Sequence, residues 1–305
     1  MDIKGIFPAM LTPLTNEQKV NEKVLRQMTN YFIESGVHGL FTLGTNGEFH
    51  LFSEEEKLNI AKIVIDETNG RVPVMVGTGG NGTAEVIELS KKMEKIGADA
   101  LSIITPYFVT PSQEDLAIHY EKIAASVSIP VLLYNIPSKT GMNIEPETVA
   151  RLAKVKNIAG IKDSSGNFEN IQQYINVTKN KEFSVIAGTD SLILKTLMAG
   201  GVGAIAATAN MLPKTVVSIY NNWLEGNIEE AQKAQEDLQP LRDTFAYGAI
   251  PSSLKKAVEL NGIEVGPPRF PVSELSGDSL DKVRKMVDFY KEKEKNKKIV
   301  RGEKL

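Results

Sequence analysis

Short apolar runs alternate with longer amphipathic ones along most of the chain. "GIFPAMLT" reads as a strand and "NEKVLRQMTNYFIES" as the helix after it. "GLFTLG" precedes "SEEEKLNIAKIVIDET", in which Ser53 takes the cap position and three acids fill the first turn. The alternation continues with "VPVMVG", "ADALSIIT", "IPVLLYN", "NIAGIKD", "FSVIAG" and "VGAIAA", each followed by a helical pattern. The apolar runs are continuous rather than alternating, as expected for parallel strands covered on both faces. Eight strand–helix units within residues 1–226 predict an α/β fold, a (β/α)8 TIM barrel. A doubly wound open sheet is the alternative, but it ordinarily has fewer strands and a glycine fingerprint after the first. From 227 to 305 only helical patterns remain, among them "IEEAQKAQEDLQPLRDTF" and "PSSLKKAVELNG". This stretch is expected to form a C-terminal helical appendage ending in a charged, solvated and fraying tail.

Composition narrows the function. At 305 residues, with 42% hydrophobic and 24% charged residues, the chain is that of an ordinary globular protein. A net charge of −3 gives no general attraction to nucleic acid or anionic membrane. There is no cysteine for thiolate chemistry, a disulfide or a cysteine zinc site. His38, His50 and His119 lie far apart, in no metal-ligand spacing. No phosphate-binding glycine loop occurs. The N-terminal residues lack the apolar core of a signal peptide, and no run approaches a membrane span, so a cytoplasmic location is the default expectation.

A barrel of this kind carries its chemistry at the C-terminal ends of its strands. Those ends supply Thr45, Asn46 and Glu48 from "GTNGE", Tyr107 and Phe108 from "TPYF", Tyr134 from "YN", and Lys162 from "GIKDSSG". Taken on its own strand, Lys162 has two readings. It snorkels to the surface or pairs with the adjacent Asp163, or it is a nucleophilic amine. Its place on the rim beside Tyr134 favours the second. A lysine, a tyrosine and hydroxyl or amide donors, without a metal or cofactor signature, suit Schiff-base chemistry. Such an amine must be neutral to attack a carbonyl, which burial promotes. The backbone N–H groups of "GTNGE", with Thr45 and Asn46, offer a cradle for a carboxylate.

Four stretches together, "GTNGE", "YNIPSKTG", "GIKDSSG" and "GVGAIAATAN", resemble the dihydrodipicolinate synthase / N-acetylneuraminate lyase family of pyruvate-dependent class I aldolases. The resemblance extends from "GIFPAMLTPL" to "GPPRFP". It implies that Lys162 forms an imine with pyruvate, that Tyr134 shuttles protons, and that Thr45 sits beside the tyrosine. It implies that Asn46 holds the pyruvate carboxylate and that main-chain groups near Gly188 and Ile205 line the pyruvate pocket. It also implies a homotetramer, a dimer of dimers, and no cofactor beyond the covalent imine.

Three departures bear on the substrate. Synthases of this family usually carry "GTTGE", a second tyrosine after "TPY" that crosses a dimer interface, and an arginine in "PSRTG". This chain has Asn46, Phe108 and Lys139 at those places. Phe108 has no hydroxyl for a proton relay, and Lys139 keeps the charge of arginine without its bidentate fork. The expectation is therefore a lyase acting on a 2-keto-3-deoxy or 4-hydroxy-2-keto acid. Condensation of pyruvate with aspartate semialdehyde is the alternative, and a barrel that binds a keto acid without catalysis is a remote one.

Overall fold

The computed structural model describes residues 3–300. Within them eight parallel strands form: β1 (Gly5–Pro8), β2 (Leu40–Thr42), β3 (Val74–Gly77), β4 (Ala100–Ile104), β5 (Val131–Asn135), β6 (Ile158–Asp163), β7 (Ser184–Ala187) and β8 (Gly203–Ala206). Neighbours pair in sequence order, and β8 pairs with β1. The seam between β1 and β2 is closed by Met10 N–H to the Phe41 carbonyl and His38 N–H to the Ile6 carbonyl, both 2.9 Å. The sheet is thus a closed barrel with helices outside it, as the pattern of apolar runs predicted.

Strand alternation divides the core in two. Phe7, Phe41, Met75, Leu132, Ile186 and Ile205 pack together inside the barrel. Ile6, Leu40, Val76, Leu133, Ile161 and Val185 face the helices, where the larger core lies. The same period of two fixes the site. Lys162 is opposite Tyr134 on one side and the interior residue Ile186 on the other. It therefore points inward, and Asp163 points to the helices.

The helices begin where capping chemistry starts them. Ser53 caps Glu54–Thr68 in a complete capping box with Glu56, and Ser112 caps Gln113–Ala124 through the Asp115 N–H. The C-terminal part is more segmented than its pattern suggested. Its first stretch breaks into Ile228–Glu236, Gln239–Asp243 and a short 3-10 turn, because Pro240 enters at a helix start and cannot continue the preceding ladder. Helices Ser252–Leu260 and Gly277–Val300 follow. The tail departs from the expected fraying end at its start: Lys291 Nζ donates to the Leu260 carbonyl at 2.8 Å and Lys293 pairs with Asp237. Residues 301–305 of that tail lie outside the described residues.

Candidate active site

The inward face of β6 puts Lys162 above the apolar filling of the barrel. Its side chain is buried, with Nζ 4.0 Å from the centroid of the Tyr134 ring and 5.1 Å from that of Phe41. No carboxylate forms an ion pair with it among the described residues. The pairing with Asp163 left open by the sequence is absent, because successive residues of a strand face opposite ways. Asp163 instead accepts from Asn135 Nδ2 and Asn170 Nδ2, both at 2.8 Å, and from the Ser165 hydroxyl at 2.6 Å. Burial pushes its carboxyl above the usual range, against the pull of these donors.

The "GTNGE" turn follows β2. Thr45 Oγ1 lies 3.0 Å from the Tyr134 hydroxyl. Glu48 N–H closes the turn on the Thr45 carbonyl at 3.1 Å. Among the described residues, neither the Thr45 nor the Asn46 N–H donates a hydrogen bond to another backbone group. The turn is held from behind. Glu48 adopts a left-handed backbone, φ 58°, and its carboxylate is fully buried. It pairs with Lys255 Nζ at 2.7 Å and accepts the Arg269 N–H at 2.6 Å. Arg269 in turn binds Glu56 through both terminal nitrogens, at 2.7 and 2.8 Å. The C-terminal part of the chain therefore fixes the turn that carries Thr45 and Asn46.

Lys162, Tyr134, Thr45, Asn46, Gly188 and Ile205 line one cavity of about 190 Å³. This is smaller than the roughly 300–1,000 Å³ of clefts for drug-sized ligands, and suits small metabolites. Gly188 has a steric reason: a Cβ there would lie 2.9 Å from Lys162 Cε and 2.2 Å from Ser164 Oγ. Its N–H is anchored to the Asp163 carbonyl at 2.7 Å.

Three residues that the sequence pointed to stand apart from this cavity within one chain. Lys139 is exposed on the short helix Pro137–Thr140. Tyr107 is half-buried, its N–H bound to Asn81 Oδ1 at 2.8 Å, and burial pushes its phenol up. Phe108 is 95% exposed and holds a left-handed backbone, φ 78°. Conversely, the C-terminal region supplies a wall that the sequence reading did not assign. Arg242, Phe245, the stretch from Gly248 to Pro251, Ser253 and Leu254 all line the cavity. The run "GAIPSSLKK" was visible in the sequence, but nothing in its pattern told that it folds back over the strand ends. His38, His50 and His119 lie outside the cavity, and His38 Nδ1 accepts the Ile6 N–H at 3.1 Å.

Comparison with known proteins places nearly the whole chain, not the site alone, in a family. A family model, the dihydrodipicolinate synthetase family, matches residues 2–289. A 4-hydroxy-tetrahydrodipicolinate synthase of Methanopyrus kandleri is 41% identical over 93% of this chain and 95% of its own. Further curated relatives at 35 to 39% identity carry the same name. Among solved structures, the 4-hydroxy-tetrahydrodipicolinate synthase of the methanotroph Methylacidiphilum fumariolicum SolV superposes with a TM-score of 0.92, at 35% identity over 95% of this chain and 97% of that one. YagE, a prophage protein from E. coli K12 solved in complex with pyruvate, gives 0.91 at 32% identity, over 95% and 99%.

Proposed function

The chain belongs to the dihydrodipicolinate synthetase family, and from that premise we propose that it is a lyase condensing pyruvate with aspartate semialdehyde, a 4-hydroxy-tetrahydrodipicolinate synthase. The reading is supported above all by one observation. A buried lysine, with no carboxylate partner among the described residues, faces a tyrosine whose hydroxyl is 3.0 Å from Thr45.

In this reading the Lys162 amine adds to the keto carbon of pyruvate, and water leaves to give the imine. A proton leaves the pyruvate methyl, forming an enamine. That carbon bonds to the aldehyde carbon of the partner, whose oxygen takes up a proton. The amino group of the semialdehyde then closes on the imine carbon and releases Lys162 as the amine. Tyr134 carries the protons, held in orientation by Thr45. Asn46 and the N–H groups of its turn take the pyruvate carboxylate, with Gly188 and Ile205 as walls. No cofactor is needed, since the protonated imine is the electron sink. The working division is a catalytic barrel over 1–226 and a helical region over 227–305 that completes the pocket.

Assembly enters the reading through Phe108. A phenylalanine almost wholly exposed, next to Val109 at 73% exposure and with φ 78°, is an unfavourable tip for a lone chain. We read a second copy of the chain as the cover for this tip, in a dimer within a homotetramer, as the family resemblance implies. No helix among the described residues is long and apolar enough to cross a membrane.

The names of the curated relatives favour the synthase over the sugar-acid aldolase expected from Phe108 and Lys139. That aldolase remains the second reading because Phe108 lacks a relay hydroxyl. The deciding comparison is kcat/KM with pyruvate and aspartate semialdehyde against cleavage of 2-keto-3-deoxy and 4-hydroxy-2-keto acids. The synthase reading expects the semialdehyde to be preferred. Preference for keto-acid cleavage sinks it, and restoration of condensation by Phe108→Tyr with Lys139→Arg would then identify the cause.

A further inference from the structure

Three charged residues line the cavity: Lys162, Asp190 and Arg242. Two of them are committed. Lys162 reacts, and once it carries pyruvate as a protonated imine its charge is balanced by the pyruvate carboxylate. Asp190 accepts the N–H groups of Ala207 at 3.2 Å and Thr208 at 2.6 Å, so its carboxylate serves the backbone after β8. Arg242 differs. Among the described residues its only side-chain bond is from Nη1 to the neutral amide oxygen of Gln239, at 3.4 Å. It has no ion-pair partner among the described residues. An arginine stays ionised at any working pH and offers a planar fork matched to a carboxylate. Phe245, Ile250 and Leu254 line the same wall and offer an incoming carboxylate no competing charge.

A second anion entering this cavity therefore meets one uncommitted cation. Lys139, the residue that sequence comparison would choose, is exposed and does not line the cavity within its own chain. We propose that Arg242, on the helix Gln239–Asp243, receives the carboxylate of the aldehyde that adds to the imine, and so sets a preference for anionic over neutral aldehydes. The inference rests on the pyruvate–aldehyde reading above. It moves the determinant of the second substrate from the strand-five loop to the C-terminal wall.

The test measures kcat/KM with pyruvate and a set of aldehydes: aspartate semialdehyde, succinate semialdehyde, glyoxylate and the neutral propionaldehyde. It is run on the wild-type protein and on Arg242→Gln, Arg242→Lys and Lys139→Gln. Reductive trapping of pyruvate by each variant checks that the imine site is intact. Arg242→Gln is expected to lower kcat/KM for anionic aldehydes by about 10–100-fold, the scale of a lost charge-assisted bond in a partly buried site. The neutral aldehyde and the trapping yield should stay unchanged, and Arg242→Lys should recover part of the loss. Equal loss for charged and neutral aldehydes, no loss at all, a larger anion-specific loss at Lys139→Gln, or a wild-type protein that accepts only neutral aldehydes each overturns the proposal. The two readings separate cleanly. A wild-type protein that uses glyoxylate or succinate semialdehyde but not aspartate semialdehyde, and loses them in Arg242→Gln, refutes the synthase and upholds Arg242. Use of aspartate semialdehyde at an undiminished rate by Arg242→Gln does the reverse.

Discussion

Replacing Lys255 by methionine should both destabilise the protein and loosen the pyruvate end of the site. Lys255 and Glu48 are each only 1% exposed and lie 2.7 Å apart. Burial holds the Lys255 ammonium below its ordinary range, while Glu48 pulls the other way. Lys255 also donates to the Pro267 carbonyl at 2.8 Å. Methionine fills most of the same volume, so packing changes little. The carboxylate of Glu48 is then left buried with the Arg269 N–H as its remaining close donor. Breaking one side of a buried pair costs about 3–5 kcal/mol. A chain of 305 residues has an unfolding entropy of roughly 0.6 kcal/mol/K, so the expected fall in Tm is about 5–8 °C. The measurement is differential scanning calorimetry at pH 7 with and without saturating pyruvate. Because Asn46 is two residues from Glu48, KM for pyruvate should rise while the imine still forms. Adding Glu48→Gln to Lys255→Met removes the stranded charge and should restore more than half of the lost stability. A Tm within 1 °C of wild type for Lys255→Met refutes the reasoning, as does a double variant less stable than the single one.

Other expectations follow from the same geometry. Tyr134→Phe should still trap pyruvate but turn over about 10²–10⁴ more slowly, the scale of a positioned acid–base group, read in single-turnover kinetics; an unchanged rate removes Tyr134 from the chemistry. Gly188→Ala places a methyl against Lys162 Cε and Ser164 Oγ, so imine formation should fall at least tenfold while the far-ultraviolet spectrum is retained. His119, buried beside Thr83 Oγ1 at 2.9 Å, is pushed down to about 4 by burial. A depressed group stabilises the fold above its unfolded pKa and loses that contribution as pH falls. Stability should therefore drop between about pH 6.5 and pH 4, by roughly 2 kcal/mol after allowance for partial solvent screening. Urea titrations of His119→Asn should show a shallower acid slope, and an identical slope would discount His119.

The barrel was legible because its strands are short apolar runs set off by polar turns and helix caps, a pattern governed by local chemistry. Ser53 and Ser112 mark helix starts in the sequence and serve as caps in the structure. Lys162 and Tyr134 were legible as strand ends, and Thr45 as part of the turn after β2. The separation of Lys162 from Asp163 was also implicit in the strand period, although adjacency in sequence suggests an ion pair. The C-terminal wall was not legible. Arg242 reaches the cavity through the packing of a helical region back over the barrel mouth, and helix periodicity carries no information on that return path. Pro240 gave a local warning that the long helical pattern would break, but not where the next segment would go. Phe108 is a different case. Its residue type and place were plain, yet its exposure on a left-handed loop tip is a matter of tertiary structure, which strand and helix periodicity does not describe.

The claim at the centre is that Lys162 forms the covalent bond to substrate. The direct measurement is borohydride reduction of the protein with pyruvate, followed by intact mass and peptide mapping. The expected result is one reduced pyruvate adduct per chain, on the peptide containing Lys162, and none in a folded Lys162→Ala variant. An adduct on another lysine, an undiminished yield in Lys162→Ala, or no adduct with the wild-type protein would contradict it, the last pointing to a barrel that binds keto acids without catalysis.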